Sequence, residues 1–224
     1  MTDTASRGVS PRRPRYDEGC PIGGALNVVG DRWAFLVVRE LTLQPKRFQT
    51  LREGLPGVTP GVLSGRLEQL AEAGIVDRDD GLGIYSLTAA GQALRPVLGA
   101  MARWGFEQGE ADLRKFVSPT SLMLSMALMI DPAKAAGADP LAGFEVGREA
   151  YLVCLKDGVP VPQPARDPRA PFVLTGPGNA IGMALYGPRP VADVVASGVV
   201  SLRGDADAAQ GFADLFRKLS PPPG

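Results

Sequence analysis

The chain has 224 residues, 24 Lys+Arg against 24 Asp+Glu, no histidine and a formal net charge of zero. Without histidine there is no His-based general acid–base catalysis, no Ser-His-Asp triad and none of the commonest metal ligand, which argues against a hydrolase or metalloenzyme; no cofactor is expected. Two cysteines, Cys20 and Cys154, cannot build a disulfide framework or a four-thiolate zinc site.

Residues 1–18 are polar and carry RRPR at Arg12–Arg15. They read as a flexible basic arm, either a solvated tail or one that reaches into a DNA minor groove. They lack the apolar core of a signal peptide, and the longest apolar run, Leu122–Ile130, is too short to span a bilayer. A cytoplasmic protein with no membrane span is expected. Neither half is strongly basic, so a case for nucleic acid has to come from shape.

Helical patterning begins at Cys20, with Pro21 at a helix start and Gly30 at its end. Asp31 is a plausible N-cap for the next helix, whose inward stripe is Trp33, Leu36, Val37 and Leu41; Pro45 stops it. Arg47–Leu55 predicts a short helix with Phe48, Leu51 and Leu55 on one side, followed by a Pro-Gly turn. Thr59 caps a further helix with Pro60 at its first position and Gly74 at its end. Two short strands, IVDRD and GIYSL, flank DGLG as a hairpin. Thr88 then caps a long helix with the stripe Leu94, Val97, Leu98, Met101 and Trp104, which Pro96 is expected to kink. That stripe fits either core or a dimer seam. Helices around a tight turn followed by a hairpin predict a winged helix-turn-helix over residues 19–116.

The helix opening at Thr59 has two unlike sides. At about 100° per residue, Leu63, Leu67 and Leu70 share an inward face. Gly61, Ser64, Gly65 and Glu68 fall opposite, leaving the outward face nearly bare. A bare helix face suits close approach to a major groove, and a helix N-terminus favours phosphate. The expected DNA contacts are Lys46, Arg47, Gln49, Thr59, Pro60, Gly61, Ser64, Gly65, Arg66 and Arg78. Arg66 sits at the edge of the leucine stripe, where it can equally pair with a carboxylate. The glycines read no base, and Ser64 and Thr59 offer one hydrogen bond each.

From Cys20 to Gly105 the sequence resembles the HxlR family of bacterial winged-helix regulators, relatives of the MarR family. The motifs are the Cys-Pro start, Gly-Asp-Arg-Trp, Leu-Pro-Gly-Val-Thr-Pro, Leu-Ser-x-Arg-Leu, Ala-Gly-Ile-Val and Tyr-Ser-Leu-Thr. The resemblance implies a homodimer, paired through terminal helices, on palindromic double-stranded operator DNA. Two features depart from it. Gly61 stands where the family usually has a basic residue, and the wing is short and acidic, with Asp77, Asp79 and Asp80 around Arg78. Fewer phosphate contacts imply weaker, less salt-dependent binding than is usual for the family. Cys20 matches the redox-sensing cysteine of some members; otherwise it is a small apolar cap.

Residues 117–224 change character. SLMLSMALMI is a continuous apolar run, strand-like or a buried helix. AYLVCLKDG and VPVPQ flank an Asp157-Gly158 hairpin turn, APFVLTG and VVSLRGD read as strands, PGNAIGMALYG and RPVADVVASG as short helices or loops, and DAAQGFADLFRKL as an amphipathic helix. The half is thus a mixed α/β layer, giving an α+β chain. It resembles the sterol carrier protein type two domain through FVLTG, PVADVVASGVVSLRGD and FADLFRKL. That implies a five-stranded sheet, helices over one face, and an apolar tunnel of the lipid-carrier type. The expected lining is Met123, Met126, Met129, Phe172, Ile181, Met183 and Leu185, methionine being adaptable to irregular apolar ligands.

The combined expectation is a dimeric transcriptional regulator, a repressor, whose operator affinity responds to a hydrophobic small molecule. Two alternatives stand beside it: a lipid-binding or protein-interaction module with vestigial DNA binding, and a Cys20 redox regulator with a structural second half.

Overall fold

A computed structural model describes residues 16–219, so the RRPR arm lies outside the described residues. Helix α1 (Pro21–Val29) starts at Cys20 and ends at Gly30, as the proline–glycine punctuation indicates. In α2 (Arg32–Leu41), the N-cap Asp31 carboxylate accepts from the Trp33 N–H at 2.8 Å. A two-residue strand, β1 (Lys46–Arg47), leads directly into α3 (Phe48–Glu53). Helix α4 (Pro60–Glu72) begins at the Thr59 cap; Gly74, at φ +69°, then turns the chain out of the helix, a conformation that favours glycine. Strands β2 (Val76–Asp79) and β3 (Ile84–Leu87) form the expected hairpin. Strand β1 adds to it, giving the order β1-β3-β2.

The long helix expected after Thr88 is two helices, α5 (Ala89–Gln92) and α6 (Arg95–Glu107). Pro96 breaks the run instead of kinking it. It occupies the first turn of α6, where its fixed φ is favourable and no N–H is missed.

The remaining chain is mixed α/β. SLMLSMALMI is a helix, α7 (Pro119–Met129), capped by Ser118 and followed by α8 (Pro132–Ala135). Strands β4 (Leu141–Val146), β5 (Glu149–Lys156), β6 (Val159–Ala165) and β7 (Phe172–Thr175) precede α9 (Gly178–Tyr186) and α10 (Val191–Ala196). Strand β8 (Ser201–Gly204) and α11 (Ala206–Asp214) close the fold. The sheet order is β6-β5-β4-β7-β8, with β4 and β7 parallel and the other pairs antiparallel. The β5–β6 turn uses Asp157 at φ 52° and Gly158 at φ 75°, as a two-residue hairpin requires. On edge strand β6, Pro160, Pro162 and Pro164 alternate along the ladder. Their ring nitrogens face away from β5, so the free edge offers no N–H there to another strand.

Two separate cores form. One gathers Val37, Leu41, Leu51, Leu63, Leu67 and Leu70 around the helix-turn-helix. The other packs α7, α9 and α11 on the sheet and is filled by Phe144, Phe172, Phe212, Phe216 and Tyr186, with successive ring centroids 5.2–6.5 Å apart.

Candidate nucleic-acid interface

The two sides of α4 divide as its sequence indicates. Leu63, Leu67 and Leu70 are buried, at about 1.5–3 kcal/mol each for a fully covered leucine. Ser64, Glu68, Thr59, Pro60 and Gly61 are exposed, and a Cβ built at Gly61 or Gly65 meets nothing within 4 Å. The Thr59 hydroxyl accepts from the Val62 N–H at 3.4 Å, fixing the start of the helix while its bare face stays open.

The basic residues are arranged differently from expectation. Lys46 does not face DNA: it is 3% exposed, and its ammonium lies 3.0 Å from Glu40 and 2.7 Å from Glu149. Side chains alternate along a strand, so Lys46 points into the protein while Arg47 points out. Arg47 is exposed and donates from Nη1 to the Leu82 carbonyl at 2.7 Å, bracing the wing between β2 and β3. Arg66 turns inward to Asp31 at 2.9 Å, the carboxylate pairing left open by its place beside the leucines. Arg78 pairs with Asp80 at 2.9 Å and lies over the Tyr85 ring. Gln49 is exposed and bonds Glu53 at 3.3 Å. The outward surface is therefore shaped for approach but thin in uncommitted positive charge.

Cys20 is exposed at the N-terminus of α1. The backbone N–H groups of Gly23, chiefly, and Ile22 hold its thiol below the ordinary range. Helix α6 buries none of its residues, and Val97, Met101 and Trp104 stand exposed, Trp104 at 65%. In the second half, Met123, Met126, Met129, Phe172, Ile181 and Leu185 are buried in the aromatic core. Met183 is not among them. It is 37% exposed, because Ile181 and Leu185 share one face of α9 at i, i+4 while Met183 falls between them on the other.

Between the halves lies a polar seam that local sequence reading missed. Glu40 and Thr120 are fully buried, and Ser118 and Glu149 nearly so. One signal was present: Glu40 falls three residues after Val37, on the inward face of α2, where a charge needs a partner. Beside the seam, a cleft of about 200 Å³ is lined by Trp33, Leu36, Arg39, Leu55, Pro56, Phe116, Ser118 and Ser121.

Residues 28–113 match the family model described as HxlR-like helix-turn-helix. The uncharacterized HTH-type transcriptional regulator sll1512 of Synechocystis sp. is 38% identical over 99 residues, 41% of this chain and 73% of that protein. YvaP of Bacillus subtilis, likewise an uncharacterized HTH-type transcriptional regulator, is 38% identical over 99 residues, 42% of this chain and 86% of that protein.

The chain belongs to the HxlR-like helix-turn-helix family. It is a transcriptional regulator of the HxlR type. Among solved structures, quinone-bound YodB from B. subtilis aligns at 36% identity and TM-score 0.37, covering 39% of this chain and 98% of that one. This HxlR-like regulator continues past the matched residues into the five-stranded α/β half, and no helix among its described residues is long and apolar enough to cross a membrane.

Proposed function

We propose that this HxlR-like regulator is a homodimer that sets α4 of each subunit into successive major grooves of a palindromic operator, acts as a repressor, and is released by a hydrophobic effector bound in residues 117–224. Residues 19–116 are then the reading and pairing unit. The observation that carries the reading is the open face of α4: among the described residues Gly61 and Ser64 are exposed and a Cβ at Gly61 or Gly65 meets nothing within 4 Å, while the opposite leucines anchor the helix. Pairing is supported by the uncovered stripe Val97, Met101 and Trp104, which a second copy covers. The effector part rests on the apolar second core. A ligand there displaces side chains, and Met123, Met126 and Met129 are the ones that re-adjust most readily.

Selection of duplexes from a random pool by the purified chain tests the first part. Recovered sequences with inverted half-sites about one helical turn apart support it; recovery of no common sequence at low salt contradicts it. Mass spectrometry of the natively purified protein tests the second, where a co-bound apolar molecule is the expected result.

A second reading has its own observation. Cys20 is exposed and its thiol is held low, so oxidation there, in place of a ligand, would switch the operator affinity. An oxidant that leaves operator binding unchanged removes this reading.

A further inference from the structure

Helix α3 is held at both ends by one buried carboxylate. At its start, Lys46 Nζ donates to Glu40 Oε2 at 3.0 Å. At its end, Arg39 bonds Glu40 Oε1 through Nε at 3.0 Å and donates from Nη2 to the Gly54 carbonyl at 3.2 Å. Gly54 is required there, because a Cβ would sit 2.5 Å from Glu40 Oε2.

This clamp is not complete within the winged helix. Lys46 has three hydrogens, and the other two go to Thr120 Oγ1 at 2.8 Å and Glu149 Oε1 at 2.7 Å. The Ser118 hydroxyl donates to Glu40 Oε1 at 2.6 Å. Glu149 is itself held by Gln44 Nε2 at 2.8 Å and by the Tyr151 hydroxyl, whose ring belongs to the second core. Arg39, Lys46, Glu40 and Glu149 sum to zero charge, and all but the partly exposed Arg39 are desolvated. Removing one member of such a set is strongly destabilising, because it leaves a buried charge without its balance.

We propose that Glu149 is a positioning residue for DNA binding: through Lys46 it fixes the start of α3 and hence the pose of the helix-turn-helix. The C-terminal half is then part of the DNA-reading machinery. An effector that repacks the core around Tyr151 reaches α3 by the route Tyr151, Glu149, Lys46. The inference rests on the reading that α3 and α4 dock on DNA.

The test compares the full-length chain with E149Q, K46M/E149Q and Y151F. Three quantities are measured: melting temperature, affinity for a duplex enriched by the unmodified chain, and amide hydrogen exchange at residues 48–54. E149Q leaves one buried positive charge in excess, so it melts lower, binds DNA about tenfold more weakly and exchanges faster at 48–54. In K46M/E149Q, Arg39 and Glu40 balance, so the melting temperature returns to within about 3 °C. Affinity and exchange at 48–54 stay impaired, because the link is gone. A merely structural role makes affinity and exchange recover together with stability in the double variant, and that result overturns the proposal. So does E149Q with unchanged affinity and exchange. Should neither Glu149 variant fold, Y151F decides: faster exchange at 48–54 supports the proposal and unchanged exchange overturns it. Should the unmodified chain enrich no duplex, the operator reading fails, while exchange at 48–54 still tests Glu149 on its own.

Discussion

Asp31 and Arg66 are joined by a 2.9 Å ion pair that ties the N-terminus of α2 to the inner flank of α4. The same Asp31 carboxylate caps α2 through the Trp33 N–H. Asp31→Asn keeps the capping oxygen and loses the charge pair, at a cost of about 1 kcal/mol, whereas Asp31→Ala loses both, at about 2–3 kcal/mol. Urea unfolding of the two variants checks the order; equal costs mean that the cap carries nothing.

The Cys20 thiol lies below its ordinary value and is exposed, while Cys154 is partly covered in the sheet. The thiolate is the reactive form, so Cys20 alkylates faster than Cys154 near neutral pH, and its rate rises with pH until the thiol is fully ionised. Iodoacetamide labelling followed by peptide mass spectrometry reads both sites. Equal rates at the two cysteines contradict the helix-terminus effect.

Trp104 and Met101 stand uncovered on a helix with no buried residues. If a second copy covers them, Trp104→Glu shifts sedimentation from dimer to monomer at micromolar concentration and weakens operator binding with it. A dimer that survives the charge places the subunit contact elsewhere.

On the proposed operator complex, the acidic wing would limit phosphate contact. Asp80 is largely exposed and engages Arg78. Asp80→Lys removes that repulsion and releases Arg78, so the log–log salt slope of DNA binding steepens by about one to two units. An unchanged slope means that the wing stays away from the duplex.

The parts of this fold legible in the sequence are those written in neighbouring residues. Thr59-Pro60, Asp31 and Asp157-Gly158 each fix a cap or turn by local chemistry, and all three stand where they were expected. Leu63, Leu67 and Leu70 reveal their face by spacing alone. Run SLMLSMALMI left helix and strand open, since a segment apolar on several sides carries no period. Strand β1 is two residues long and exists only because β3 accepts it. Lys46 was misplaced for a related reason: its partner Glu149 lies 103 residues away, and no local pattern announces such a pair. Met183 shows the opposite error, since its i+2 offset from Ile181 already placed it outside the inward stripe of α9.

The most direct measurement is the operator affinity of Gly65→Gln beside that of the unmodified chain, with unfolding followed in parallel. Open space surrounds Gly65, so the longer side chain leaves stability equal or raises it by about 0.5–1 kcal/mol, glycine being the poorer helix former. On the duplex, the same side chain stands between the helix backbone and the groove, and affinity falls by more than about tenfold. Undiminished binding by a stable Gly65→Gln protein contradicts the assignment of α4 as the reading helix.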